Sequence, residues 1–173
     1  FTLALVKFKW NLIHYLGKFE LLKFIPLLAT EKFKQKYLNR SEDLYSSVEI
    51  KNYANKQKIK NYIVGSDQIW NVEATPSLSD SFLGFLDQKN LGTLAAYGAS
   101  FAHDDWRYSK TQTKLCKNLI KKFFLVSVRE KQGIKLTNKF LNKKSIKVLD
   151  PTFLLEKKDY LKLIKKKQIK KKQ

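Results

Sequence analysis

Apolar and polar positions change period along this chain. From about residue 59 onward, short apolar runs alternate with stretches whose apolar residues recur every three or four positions. Residues 59–64, 94–100, 123–129 and 145–149 read as strands. Residues 106–122 carry Leu115, Leu119 and Ile120 on one face and lysines on the other, the pattern of a half-buried helix. Residues 130–141 repeat it with Ile134, Leu136 and Phe140. Strand and helix in alternation predict an α/β fold, a parallel sheet flanked by helices. Right-handed crossovers would set the loops that follow the strands along one rim, where ligands bind in open α/β sheets.

Before residue 59 the pattern is helical. Residues 3–24 are largely apolar until Pro26 interrupts them, and 31–40 form a shorter charged helix. Ser46 or Ser47 can cap a helix running through Ile50, Tyr53 and Ala54 toward Lys58, with Glu49 in its first turn. Past residue 155, Tyr160, Leu161 and Ile164 keep helical spacing before lysines take over. The expected organisation is a helical part over 1–58, a core over 59–155 and a basic helical or disordered tail over 156–173.

Composition narrows this picture. A chain of 173 residues, 43% of them hydrophobic, can build one proper core. It has no apolar run of 18 residues, so no transmembrane helix is expected. Lys7, Lys9 and Lys18 interrupt the apolar N-terminal stretch, unlike a signal peptide. The chain starts at Phe1 and contains no Met, which suggests truncation at the N-terminus. Its one cysteine, Cys116, excludes an internal disulfide framework, fits a reducing compartment and reads as a structural thiol. The net charge is +20, and nine of the 35 basic residues lie between Lys157 and Gln173. Such charge favours anionic partners. Nucleic acid is not expected, because the lysines are spread along helix faces rather than interleaved with aromatics, and arginine is scarce. Neither metal-ligand spacing nor a glycine-rich phosphate loop is present.

The densest run of polar chemistry follows the first strand of the core: Gly65-Ser66-Asp67-Gln68-Ile69-Trp70-Asn71. Gly65 permits a turn, and Ser66, Asp67, Gln68 and Asn71 can all hydrogen-bond. Two readings stand at this point: a ligand loop, or a turn closed by a core tryptophan. This run resembles the GSDQ-hydrophobic-WN signature of the polysaccharide pyruvyl transferase family. Further segments match in order. Ala95-Ala96-Tyr97-Gly98-Ala99-Ser100-Phe101 is similar to the family's YAASFG stretch, Val126-Ser127-Val128-Arg129-Glu130 to its SVRE segment, and Val148-Leu149-Asp150-Pro151-Thr152-Phe153-Leu154-Leu155 to its LDPTLLL segment. Phe82-Leu83-Gly84-Phe85 fits an F-x-x-F region between the first two. The resemblance covers residues 59–155 or so.

It implies the N-terminal, Rossmann-like half of a GT-B-type two-domain transferase. The implied reaction moves a pyruvyl group from phosphoenolpyruvate to sugar hydroxyls, giving a ketal in cell-surface polysaccharide biosynthesis, with phosphoenolpyruvate as donor substrate and neither cofactor nor metal. Implied catalytic residues are Asp67, as base or hydroxyl-orienting group, and Arg129, as anion binder. Ser66, Gln68, Trp70, Asn71 and Ser100 are the implied substrate-binding residues, amides for hydroxyls and indole for a sugar's apolar face. Plainer alternatives are a turn or cap for Asp67, an ion pair with Glu130 or another acid for Arg129, and a strand end for Ser100. His103 reads as a surface-loop histidine, Asp104-Asp105 as the cap of the following helix and Asp150-Pro151 as a turn. Implied partners are a saccharide acceptor, which can be lipid-linked, and an anionic membrane touched peripherally. The implied location is cytoplasmic, at the inner face of that membrane. Ala102 departs from the family's usual glycine, and the family's second domain, which supplies a catalytic histidine, has no counterpart here. Little activity is therefore expected from this chain alone. The alternative is a non-catalytic glycan- or anion-binding module that keeps the fold.

Overall fold

The computed structural model describes residues 30–87 and 92–163; the apolar segment 3–24 and the lysines beyond residue 163 lie outside them. The chain forms two compact units. One comprises Phe1–Lys60 with Phe85–Gln88, the other Asn61–Gly84 with Lys89–Gln173.

In the first unit, residues 30–37 form helix α1, and α2 spans Ser47–Lys56. Ser46 is the cap of α2: its hydroxyl accepts from the Glu49 amide at 3.2 Å. The Glu49 carboxylate reaches back to the amide of Tyr45 at 2.7 Å, so one acidic residue serves both the first turn and the entering chain. Ile50 and Ala54, four apart, supply the buried face of α2. The helix stops at Lys56, and Lys58 turns the chain with a positive φ of 52°.

The second unit is an α/β domain. Strands β1 (Tyr62–Val64), β2 (Leu94–Ala99), β3 (Leu125–Val128) and β4 (Ile146–Lys147) form one parallel sheet in the order β1-β2-β3-β4. Helices α3 (Leu78–Ser81), α4 (Lys110–Ile120) and α5 (Lys131–Leu141) fill the crossovers. A short 3-10 turn (Pro151–Leu154) and α6 (Lys157–Leu163) follow β4. With neighbours in sequential order, right-handed crossovers place α3, α4 and α5 on one face of the sheet. Helix α4 packs against both α3 and α5. Between that layer and the sheet lie Val64, Leu94, Ala96, Cys116, Ile120, Phe123, Val126, Val128, Leu136 and Leu141, all buried. On the opposite face Ile63 and Leu125 flank Ala95 in register and stay half exposed.

The strands are shorter than their apolar runs. The Ile59 amide donates to the Ala54 carbonyl, so Ile59 closes the turn after α2, and β1 starts only at Tyr62. Helix α4 begins at Lys110, four residues later than its apolar pattern suggests. Asp104 and Asp105 do not cap it. Ser109 does, in a reciprocal box with Gln112 that satisfies two amides at once. Residues 106–108 instead supply the aromatic rings of Trp106 and Tyr108, 4.3 Å apart.

One irregularity shapes the sheet. The β2–β3 register slips between Ala96 and Ala99, around Gly98 with its φ of +60°. A slip leaves backbone groups without a ladder partner, and a buried one costs free energy. Ser127, 1% exposed, supplies the missing partners: its hydroxyl accepts from the Gly98 amide at 3.1 Å and donates to the Ala96 carbonyl at 3.0 Å. Ser127→Ala strands both groups. Urea unfolding should show a loss of about 1–3 kcal/mol. A change within about ±0.5 kcal/mol, the scatter expected of a neutral surface change, would mean the bulge needs no side-chain partner.

Cys116 is wholly buried between α4 and the sheet, the structural thiol expected of it. Burial pushes its thiol up to about 12. Burial also raises the Tyr108 phenol. A thiol of raised pKa stays protonated in the native chain after the unfolded chain has begun to ionise. The unfolded state then binds fewer protons, so stability falls as pH rises. Chemical denaturation should show that loss between about pH 9 and 12, less steeply in Cys116→Ala. Native Cys116 should react with a thiol reagent only on unfolding.

Candidate functional site

The carboxyl ends of β1, β2 and β3 are stitched together by backbone. The amide of Ser100 donates to the Asp67 carbonyl at 3.0 Å, Trp70 to Ser100 at 3.1 Å and Arg129 to Ala99 at 3.2 Å. Val148 donates to Val128 at 3.0 Å and brings the exit of β4 to the same rim. Asp67, Ser100, Arg129 and Asp150 therefore share one edge of the sheet.

Two glycines make this convergence possible. Gly65 has a φ of 113°, and a Cβ there would collide with the Tyr97 carbonyl oxygen. At Gly98 a Cβ would lie 3.6 Å from the Ser66 side chain and 3.8 Å from both the Leu149 carbonyl and the Pro151 ring. Three loops thus crowd over the end of β2. Asp67 follows in the left-handed region at φ 54°, a backbone cost that tight loops at binding sites often carry.

Arg129 sits at the centre of the rim with a carboxylate near each guanidinium nitrogen. Nε donates to Glu130 Oε1 at 3.0 Å and Nη1 to Asp150 Oδ2 at 3.2 Å, while Nη2 lies 3.8 Å from Asp67 Oδ1. The Glu130 hydrogen bond and then the Asp150 one push the guanidinium above its usual value. The Thr152 amide and hydroxyl, and after them Arg129, hold the Asp150 carboxyl below the usual range. The arrangement joins the two expected catalytic residues, Asp67 and Arg129, and adds Glu130 and Asp150. Asp150 shapes its turn as expected, but its second oxygen reaches Arg129. Its position just past a strand end was the signal for this.

The expected binding residues divide. Ser66 is half-buried beside Gly98, and Gln68 is exposed on the rim. Gln68 Oε1 accepts from Asn71 Nδ2 at 3.0 Å, and Asn71 Oδ1 accepts from the Glu73 amide. Asn71 is buried, so its amide closes the loop upon itself. Ser100, also buried, accepts from the Ala102 amide and ends its strand. Trp70 is corrected: its indole is 0% exposed, stacks on Phe82 at 4.8 Å and donates to the Ser81 carbonyl. No face is open to a sugar. The indole belongs to an aromatic cluster with Phe101 and Tyr108, the latter donating to the Trp70 carbonyl at 2.6 Å.

A second ionic group, unforeseen in the sequence, lies beside that cluster. Glu73 pairs with Arg107 at 2.6 Å and faces His103 Nε2 at 3.4 Å, and Arg107 also meets Asp105 at 3.3 Å. Arg107 foremost, then His103, holds Glu73 below the usual carboxylate range. His103 is a loop histidine as expected, half-buried with its Nε2 turned toward Glu73. The cavity here, lined by Phe101, His103, Trp106 and Arg107, measures about 10 Å³, room for a water and no more. Among the described residues no grouping of His, Cys, Asp and Glu could hold a metal ion, and no helix is long and apolar enough to cross a membrane.

Loops carrying a charged cluster gather at the carboxyl rim of a parallel sheet in an α/β domain, the edge at which open α/β sheets bind ligands. The family model described as polysaccharide pyruvyl transferase matches residues 10–173, and the chain belongs to that family. No curated protein and no solved structure matches it.

The depressed Asp150 carboxyl sets an acid limit. A group whose folded pKa is lowered stabilises the fold above its unfolded value, and that stability is lost as pH falls through the folded one. Denaturation midpoints measured downward from pH 5 should therefore drop below about pH 4. Asp150→Asn should flatten that drop, and an identical acid profile in the variant would contradict the pairing.

Proposed function

We propose that this domain forms one wall of a pyruvyl transferase active site, with Arg129 receiving the anionic end of phosphoenolpyruvate and Asp67 the acceptor hydroxyl. The observation that carries this reading is the 3.8 Å approach of Asp67 to Arg129 on the ligand rim of a family member. The reaction needs three things: cations for the donor's phosphate and carboxylate, a proton for the enol carbon, and a base for the sugar hydroxyl. Protonation at the methylene carbon gives an oxocarbenium centre. One hydroxyl adds to it, and a second displaces phosphate to close the ketal. Arg129 answers the first need and Asp67 the third. Ser66 and Gln68, both accessible to some degree, complete the acceptor side.

Electrostatics adds a condition. Three carboxylates around one guanidinium leave the cluster net negative, so a donor anion cannot simply join it. Asp67 is the partner that yields. It is the most exposed of the three, at 86% against 42% for Glu130 and 23% for Asp150, and it is held at the longest distance. Donor arrival at Nη2 would free Asp67 to face the acceptor.

The proton donor would come from a second domain, as in a GT-B-type pair. Leu149 and the run Phe153-Leu154-Leu155 support this reading: exposed apolar side chains just past the sheet are the kind of surface a packed partner covers. The proposed setting is cell-surface polysaccharide assembly at the cytoplasmic face of the membrane, where a lipid-linked saccharide would be presented. The lysine-rich charge favours an anionic surface there.

The assay combines phosphoenolpyruvate with an aryl galactoside or lipid-linked acceptor and follows phosphate release and ketal formation. This chain alone should show binding without substantial turnover, because positioning requires both walls of a cleft. A chain extended by a second α/β domain of the family should turn over, and Arg129→Ala should cost it about 2–5 kcal/mol of donor binding. Robust turnover by the single domain would refute the incomplete-site reading. Unimpaired donor binding in Arg129→Ala would refute the role given to Arg129. Anion or glycan binding that never leads to turnover, even in the extended chain, would favour the non-catalytic module.

A further inference from the structure

The three carboxylates around Arg129 are not equivalent, and the difference assigns Asp150 a part of its own. Glu130 occupies the N-cap position of α5, yet its side chain caps no amide and turns to Arg129 Nε instead. It remains tethered only through its own flexible chain. Asp67 stands off at 3.8 Å on an exposed loop. Asp150 alone is fixed from behind. Its Oδ1 accepts from the Thr152 amide at 3.0 Å and the Thr152 hydroxyl at 2.8 Å. Pro151 restricts the backbone at the first position of that turn, and the Tyr160 hydroxyl donates to the Thr152 carbonyl, tying the turn to α6. With Oδ1 held, Oδ2 is turned toward Arg129 Nη1, from which it accepts at 3.2 Å.

We infer that Asp150 is the positioning residue of this site: it locks the Arg129 guanidinium plane so that the Nη2 edge, beside Asp67, is the edge offered to an oxyanion. The inference deepens the proposed function and rests on it for the ligand. The planar guanidinium makes the mechanism specific. Fixing Nε and Nη1 fixes Nη2 without any contact to it, and a guanidinium already oriented loses less freedom when it binds. A lysine could not be held in this way.

The test uses the full chain, labelled with nitrogen-15, and reads the Arg129 side chain directly. Its Nε and Nη signals are assigned by their loss in Arg129→Gln. Asp150→Asn retains an acceptor for Thr152 but turns the pairing with Nη1 from attractive to unfavourable. Thr152→Val weakens the turn while leaving the pair in place. In the wild type and in Thr152→Val the Nη signals should be separate, as for a guanidinium whose rotation is slow. In Asp150→Asn they should merge while the backbone spectrum persists. Titration with inorganic phosphate and with phosphoenolpyruvate should show affinity falling on the order of tenfold in Asp150→Asn, the scale seen when an outer partner of a binding group is removed. Thr152→Val should lose much less.

Unchanged Arg129 signals in Asp150→Asn overturn the inference. If the wild type binds neither anion, the donor role of Arg129 fails, and the signals still decide whether Asp150 orients it. Should Asp150→Asn not fold, the carboxyl carbon of Asp150 is titrated in the wild type and in Arg129→Gln. A midpoint that rises without the guanidinium supports the lock, and one that stays put overturns it.

Discussion

The close approach of β1 to β2 at their carboxyl ends is the constraint on which the rest of the rim depends. Gly65 can pass the Tyr97 carbonyl only because it has no side chain. Gly98 leaves the space over which Ser66, Leu149 and Pro151 meet. A side chain at Gly65 would part the two strand ends, and one at Gly98 would be strained by its positive φ. Arg129 lies between the loops of Asp67 and Asp150 at the end of β3, and their convergence adds both carboxylates to the pair it makes with its neighbour Glu130. The convergence has its own cost, a slipped register at Gly98, and Ser127 offsets that with one hydroxyl used twice. Backbone geometry, a buried serine and the charged cluster are therefore one linked arrangement.

This linkage clarifies the motif residues. In the Gly65–Asn71 run, polar side chains do two kinds of work. Asp67 and Gln68 are presented outward. Asn71 and the buried Trp70 hold the loop in place, one by closing hydrogen bonds within it and the other by anchoring it to Phe82, Phe101 and Tyr108. A loop that must keep Asp67 at positive φ beside Arg129 needs such an anchor. Trp70 thus acts on the site from beneath rather than at its surface.

The separation of Glu130, Asp150 and Asp67 by exposure and tethering has a consequence for chemistry. A cation held by three fixed carboxylates would be a structural ion pair. A cation held by one fixed, one tethered and one loose carboxylate can exchange a partner without losing its orientation. Arg129 has neighbours of the second kind, which differ in exposure from 23% for Asp150 to 86% for Asp67.

The sequence by itself determined the elements that rest on local period and local caps. The alternation of apolar runs with helical repeats specified a parallel sheet flanked by helices, and the ends of three runs marked Asp67, Ser100 and Arg129 as neighbours on a rim. A cap at Ser46 or Ser47 was legible because a cap acts three residues away, and Ser46 fills the place. Strand lengths and the start of α4 were less legible. Apolar content cannot tell a ladder residue from one that finishes a helix, as at Ile59, or one that joins an aromatic cluster, as at Trp106. Tertiary structure alone decided which side chains meet. The Arg129–Asp150 pair joins residues 21 apart, and the Glu73–Arg107 pair joins residues 34 apart. Tertiary structure also decided that Trp70 faces inward and that Ser127 mends the sheet. Those outcomes depend on how separate loops converge in space. A one-dimensional pattern records the period of each element but not the distance between their ends.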